Sequence, residues 1–149
     1  MQNKLVPSLW FSKTEGNISH ILDYYKNIFG DSFEAGNIID MGDTPSGKTE
    51  LCQVHIFGQK YSLMSTEKPH DNFNDAFALT IQCDNQEEID KYWNYFTKDG
   101  KESMCGWCID KYGLRWQVVP KNLDELLNKP HGWDVMMGQK KIIISEYLK

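Results

Sequence analysis

Apolar and polar residues alternate most regularly near the end of the chain. After Gly113, residues Arg115, Gln117 and Val119 fall on one side of an extended strand and Leu114, Trp116 and Val118 on the other. Cys105 to Ile109 is equally strand-like, and Asp110 to Gly113 supplies turn residues, with Gly113 free to take a positive φ. The stretch Cys105 to Pro120 therefore predicts a β-hairpin, and any binding site should include Gln117. The start of the chain reads in the same way. Pro7 to Phe11 is a short apolar strand. Ile18, Ile21, Leu22, Tyr25, Ile28 and Phe29 then recur at helical spacing, with Asn17 as N-cap and Gly30 as the stop. Phe33 to Met41 predicts a second strand and Gly42 to Lys48 a turn or loop. Leu51 to Phe57 and Tyr61 to Ser65 predict two more strands joined through Gly58-Gln59.

Thr66 to Asn74, with Pro69 and several polar residues, reads as a connector, after which the pattern begins again. Ala76 to Cys83 alternates as a strand with Phe77, Leu79 and Ile81 on one side. Asn85 and Glu88 form a capping box ahead of the stripe Ile89, Tyr92, Trp93 and Phe96, and Gly100 ends the helix. Three short strands follow. Leu9, Phe11 and Gly30 match Leu79, Ile81 and Gly100 at a constant offset, while Gly58, Tyr61 and Leu63 mirror Gly113, Trp116 and Val118. The fold class expected is α+β, built from two βαβββ repeats (about 5–65 and 76–120, with a connector at 66–75) in one domain. One such unit cannot bury its sheet face alone, so the repeats should pair as a curved mixed sheet around a pocket. Residues 121–149 predict a helical tail packed over the domain or against a second subunit, and unpaired edge strands predict a homodimer.

Composition narrows the partner. A chain of 149 residues is long enough for one ordinary core. The net charge of −5, without a Lys/Arg run, argues against nucleic acid or an anionic membrane and favours a small uncharged or cationic ligand. No apolar run spans a bilayer and no leader pattern opens the chain, so a cytoplasmic location is expected. Cys52, Cys83, Cys105 and Cys108 then read as reduced structural thiols. The C-x-x-C of Cys105 and Cys108 sits in strand-like sequence rather than at a helix N-terminus. His70, beside Pro69, is a candidate general base or an exposed loop histidine, and His55 faces either the pocket or the helix layer.

The βαβββ repeat closing on Trp116-Gln117-Val118-Val119-Pro120, with Pro7-Ser8-Leu9-Trp10-Phe11, Cys105-Gly106-Trp107, Asp110-Lys111-Tyr112-Gly113 and the Met137 to Ile144 segment, resembles the vicinal oxygen chelate superfamily of glyoxalase I, bleomycin-resistance proteins and extradiol dioxygenases. More narrowly it is similar to the PhnB-like branch, whose members often carry the label 3-demethylubiquinone-9 3-methyltransferase. The resemblance implies a metal-ligating glutamate four residues after the turn glycine in the metal-dependent members, and here that residue is Gln117. It implies Ser62 as the repeat-related position, and neither opening strand offers His, Asp or Glu. It also implies that a Pro-His-x-x-Phe-Asn segment, here Pro69 to Asn74, lies near the pocket mouth. The expectation is a protein without metal or cofactor that binds a flat, partly apolar molecule. Gln117, Arg115 and Ser62 would be its polar points, Trp10, Trp107 and Phe73 its stacking surfaces, and His70 and His55 its candidates for chemistry. The alternative is a metal-dependent lyase or dioxygenase using His55, His70 and Glu50. A methyltransferase reading fits less well, because Gly42 to Gly47 is a turn after an antiparallel-type strand and not a cofactor-binding loop before a crossover helix.

Overall fold

A computed structural model describes residues 3–12 and 17–149, which form two compact units, 1–72 and 73–149. In the first, strand β1 (Ser8–Phe11) leads to helix α1 (Ser19–Phe29), and β2 (Phe33–Thr44), β3 (Gly47–Ile56) and β4 (Gln59–Thr66) follow as a meander. The sheet order is β1-β4-β3-β2, with β1 parallel to β4 and the other pairs antiparallel. The second unit repeats this plan. β5 (Ala78–Cys83), α2 (Gln86–Lys98), β6 (Lys101–Glu102), β7 (Trp107–Ile109) and β8 (Arg115–Pro120) follow, the strands forming a sheet in the order β5-β8-β7-β6, again with the opening and closing strands, β5 and β8, parallel and the other pairs antiparallel. The α+β repeat expected from the sequence is present.

Each helix covers one face of its own sheet. Leu9, Phe11, Cys52, Val54 and Leu63 are buried on the α1 side, where the Phe11 ring meets Tyr25. On the α2 side Trp116 stacks on Phe96 with centroids 4.5 Å apart, above buried Ile81, Cys108 and Val118. Because side chains alternate across a strand, the opposite, helix-free face of unit one carries Ser8, Trp10, Leu51, Gln53, His55, Ser62 and Met64. That of unit two carries Ala78, Thr80, Trp107, Arg115 and Gln117.

Several local expectations change. β2 runs to Thr44, past the loop expected from Gly42, because the turn closes in two residues, Pro45-Ser46, braced by the Thr44 and Thr49 hydroxyls 2.9 Å apart. The β3–β4 turn is Phe57-Gly58, one residue earlier than expected, with φ of 50° and 79°. Asn17 accepts the Ser19 amide at 2.9 Å, but Ile18 occupies the N-cap position, and its N–H donates across the unit to Glu50 Oε1 at 2.9 Å. Phe77 lies before β5 and is largely exposed. Asn85 caps α2 as expected, accepting from the Glu88 amide.

Register also revises the repeat alignment. Leu9 pairs with Leu63 and Leu79 with Trp116. With Leu9 matched to Leu79, Leu63 therefore corresponds to Trp116, and Gln117 corresponds to Met64 rather than Ser62. The turn glycines mislead because parallel register is fixed by hydrogen bonding to the opening strand, whereas loop lengths before β4 and β8 differ.

The tail folds onto unit two. Helices α3 (Leu123–Leu127) and α4 (Gly132–Met137) and a 3-10 turn, Ile144–Leu148, close a satellite core of Leu126, Met136, Ile142 and Tyr147. Gln86 of α2 clasps the tail in both directions, donating to the Ile142 carbonyl at 3.0 Å and accepting the Ile144 amide at 2.9 Å. Lys140 and Lys141 are paired with Glu102 at 3.9 Å and Asp90 at 3.1 Å. Gln86 and Lys141 together hold the Asp90 carboxyl below its ordinary range.

Candidate functional site

The β7–β8 hairpin is organised by Asp110, which is 2% exposed. Its Oδ1 accepts the amides of Tyr112 at 2.8 Å and Leu114 at 3.1 Å, and its Oδ2 accepts the Trp116 indole N–H at 2.8 Å. Gly113, at φ 87°, donates to the Asp110 carbonyl and completes the turn. One carboxylate thus fixes both the turn and the ring that packs on α2, and thereby turns the alternate residues Arg115 and Gln117 to the helix-free face. The sequence marks Asp110 as a turn residue, but nothing in its spacing announces a buried carboxylate.

On that face Gln117 stands between two neighbours. It is in register with Thr80 on one side, whose hydroxyl donates to Gln117 Oε1 at 3.2 Å, and with Trp107 on the other. Gln117 and Trp107 are both half-buried. The row therefore combines an amide and a hydroxyl with an indole. Arg115 is committed elsewhere: its Nε donates to Asp75 at 2.8 Å, and its Nη1 donates to the carbonyls of Phe73 at 3.0 Å and Gly113 at 2.9 Å. Arg115 and Phe73 are thus brought together, through the Phe73 backbone, as an anchor for the segment that enters β5.

In unit one, His70 lies flat on Trp10, with centroids 3.5 Å apart and planes 19° from parallel. The Trp10 indole donates to the Thr66 hydroxyl at 2.7 Å, fixing the ring beneath the imidazole. Sequence reasoning singled out both residues and missed their stacking, because they lie 60 positions apart in the chain. Ser62 is half-buried on the same face, opposite Ser8. His55 is exposed there and pairs with Lys60.

The alternative metal set is not assembled. Glu50 has the parity of Cys52 and Val54, on the helix side, where it holds the start of α1, whereas His55 points to the other side. Among the described residues, no three His, Cys, Asp or Glu side chains are grouped to hold a metal ion. At the parallel strand pairs, where the resemblance implies ligands, the helix-free face presents Ser8, Trp10, Ser62, Met64, Ala78, Thr80, Arg115 and Gln117. These hydroxyls, amide, thioether and guanidinium do not fit a hard divalent ion, which needs carboxylate or imidazole donors.

The cysteines are free. Burial, with nearby carboxylates, pushes the thiols of Cys83 and Cys108 up to about 12, and burial also raises Cys52. Cys108 is fully buried while Cys105 is half-exposed, which does not suit a reactive dithiol of the C-x-x-C kind. No helix among the described residues is long and apolar enough to cross a membrane.

The family model for 3-demethylubiquinone-9 3-methyltransferase matches residues 3–119. Among solved structures, the PhnB protein of Bacillus cereus, described as a candidate 3-demethylubiquinone-9 3-methyltransferase, is 25% identical with a TM-score of 0.65, covering 78% of this chain and 99% of its own. The fosfomycin resistance protein FosX of Listeria monocytogenes is 16% identical with a TM-score of 0.57, covering 87% of this chain and 99% of its own. Glyoxalase I of Leishmania major is 12% identical with a TM-score of 0.53, covering 83% and 91%. The last two share the fold. No curated protein matches the chain.

Proposed function

The chain belongs to the 3-demethylubiquinone-9 3-methyltransferase family, the PhnB-like branch of the glyoxalase/bleomycin resistance/dioxygenase superfamily, and from that premise we propose that it binds a flat, partly apolar small molecule without a metal ion. The observation that carries the reading is the row Thr80, Gln117 and Trp107 on the helix-free face of the second sheet. Gln117 has one amide oxygen engaged by Thr80, and its amide N–H groups remain available to a ligand carbonyl or hydroxyl beside the indole. Trp10, Ser62 and His70 offer the corresponding mixture in the first repeat. His70 is the candidate base, held by its stacking on Trp10, and His55 is a further exposed imidazole on that face. Arg115 and Phe73 contribute by fixing the start of β5. The family's methyltransferase label does not carry over to this mechanism, because Gly42 and Gly47 flank an antiparallel hairpin rather than a βα crossover.

The exposed β2, with Ile39 and Met41 on its surface, supports a homodimer, and the free cysteines support a reducing, cytoplasmic location. Native mass spectrometry of untagged protein, purified without chelators, tests the reading together with thermal-shift titration against a panel of planar aromatic compounds. The expected result is a dimer without divalent metal and a ligand-induced shift lost in Gln117→Ala and Trp107→Ala. One divalent ion per chain would overturn it in favour of metal-dependent chemistry, the second reading, which FosX structures complexed with Mn(II) support. Shifts unchanged in both variants would remove this face from the site.

A further inference from the structure

An apolar row crosses all four strands of the first sheet on its helix-free face. Ile39 of β2 is in register with Leu51 of β3, Leu51 with Met64 of β4, and Met64 with Trp10 of β1. Leu51, Met64 and Trp10 are half-buried and Ile39 is 53% exposed, so the row is only partly covered. At the Trp10 end a ring is already seated on it. The His70 imidazole lies on the indole with centroids 3.5 Å apart and planes 19° from parallel. That is the contact distance of two carbon layers, about 3.5–4.0 Å, so the rings overlap with almost no lateral offset. Uncharged aromatic pairs avoid this sandwich, because both faces are negative, and keep their centroids about 4.5–7 Å apart. A centred stack on indole, the side-chain ring that attracts cations best, suits a ring that is poor in electrons or positively charged.

The platform is rigid and its occupant is loosely held. The Trp10 indole N–H donates to Thr66 Oγ1 at 2.7 Å, and Thr66 is 1% exposed. The amides of Glu67 and Lys68 donate to the Lys48 and Ser46 carbonyls at 3.1 and 3.0 Å. Beyond them, among the described residues, Pro69 to Asn72 make no hydrogen bond, and His70 is exposed. We propose that Trp10 is the stacking subsite for a cationic nitrogen heteroaromatic ring, and that His70 fills this subsite in the free chain as a stand-in that the ligand displaces. The proposal rests on the planar-ligand reading above and narrows it to a class: a pyridinium or quinolinium type of ring centred on Trp10, its apolar extension lying along Met64 and Leu51. Charge favours the same class, since residues 1–72 carry nine carboxylates against six lysines and no arginine, and that excess attracts a cation. Displacement breaks no hydrogen bond, and the imidazole, tethered at Lys68, stays within reach of the ring that replaces it, as its candidate role as a base requires.

The test titrates N-methylquinolinium, with uncharged quinoline as its comparison, into the full-length chain at neutral pH and follows the indole N–H signals in nitrogen–proton correlation spectra. The Trp10 signal is the one missing in Trp10→Leu, or in Trp10→Phe should the leucine variant not fold. A saturable shift of that signal is expected, with affinity about fivefold or more above that of quinoline. In His70→Ala, whose lost side chain is exposed, binding should tighten about three- to tenfold, the worth of one ring stack. No saturable shift at Trp10, equal affinity for quinoline, or unchanged or weaker binding in a folded His70→Ala would each overturn the proposal. Failure of the planar-ligand reading is seen elsewhere, in bound metal or in Gln117→Ala and Trp107→Ala, whereas this titration reports on Trp10 alone.

Discussion

Replacing Asp110 probes how the closing hairpin is built. Its carboxylate receives hydrogen bonds from Tyr112, Leu114 and Trp116 in a site 2% exposed. Bonds to a charged group contribute about 1.5–3 kcal/mol each and neutral ones about 1 kcal/mol. In Asp110→Asn the amide oxygen still accepts from Tyr112 and Leu114, but as a neutral acceptor, and the amide nitrogen then faces the Trp116 indole N–H, donor against donor. The expected cost is about 2–4 kcal/mol, a large part of the roughly 5–15 kcal/mol that holds a domain together. Trp116→Phe keeps an aromatic ring against Phe96 and removes the indole N–H, so when combined with Asp110→Asn it relieves the clash and costs less than in the parent. A double-mutant cycle by urea unfolding, followed by far-UV circular dichroism, should give a coupling of about 1–3 kcal/mol. Costs that add to within about 0.5 kcal/mol would refute the link from carboxylate to indole.

Arg115→Ala should speed proteolysis between residues 70 and 77 while Asp75→Asn changes stability by less than about 1 kcal/mol, because the Asp75 side chain is 83% exposed and the carbonyl bonds do most of the anchoring. Limited digestion followed by mass mapping reads the first, and urea unfolding the second. Gly106→Ala should lower the melting temperature by several degrees, since φ is 82° and a Cβ would stand 2.9 Å from the Val118 carbonyl oxygen. The pH dependence has a definite sign. Cys83 and Cys108 go from the ordinary 9.0 to about 12 on folding, so the unfolded chain loses these protons first. The contribution of these two thiols to stability should therefore be level below about pH 9 and fall from there toward pH 12, as urea midpoints will show. In the native protein at pH 8, Ellman's reagent should modify Cys105 first, with the three buried thiols reacting only on unfolding.

Periodicity and punctuation in the sequence determined the elements and their repetition. Alternation placed Gln117 opposite Trp116, helical stripes marked both helices, and Gly113 and Asn85 stood where a turn and a cap require them. These features follow from contacts a few residues apart, which spacing alone encodes. Tertiary structure decided which elements pair and at what register. Sequence took Ser62 as the repeat partner of Gln117, but the parallel bonds from β1 to β4 and from β5 to β8 put Met64 there. It also set Glu50 beside His55 as possible co-ligands, whereas strand parity and the amide of Ile18 put Glu50 on the other face of the sheet. The stacking of His70 on Trp10, the clasp of Gln86 on the tail and the meeting of Cys105 with Met137 join residues 32 to 60 positions apart. Composition constrains such contacts only weakly, because they arise when packing of the whole unit brings distant segments to a common surface.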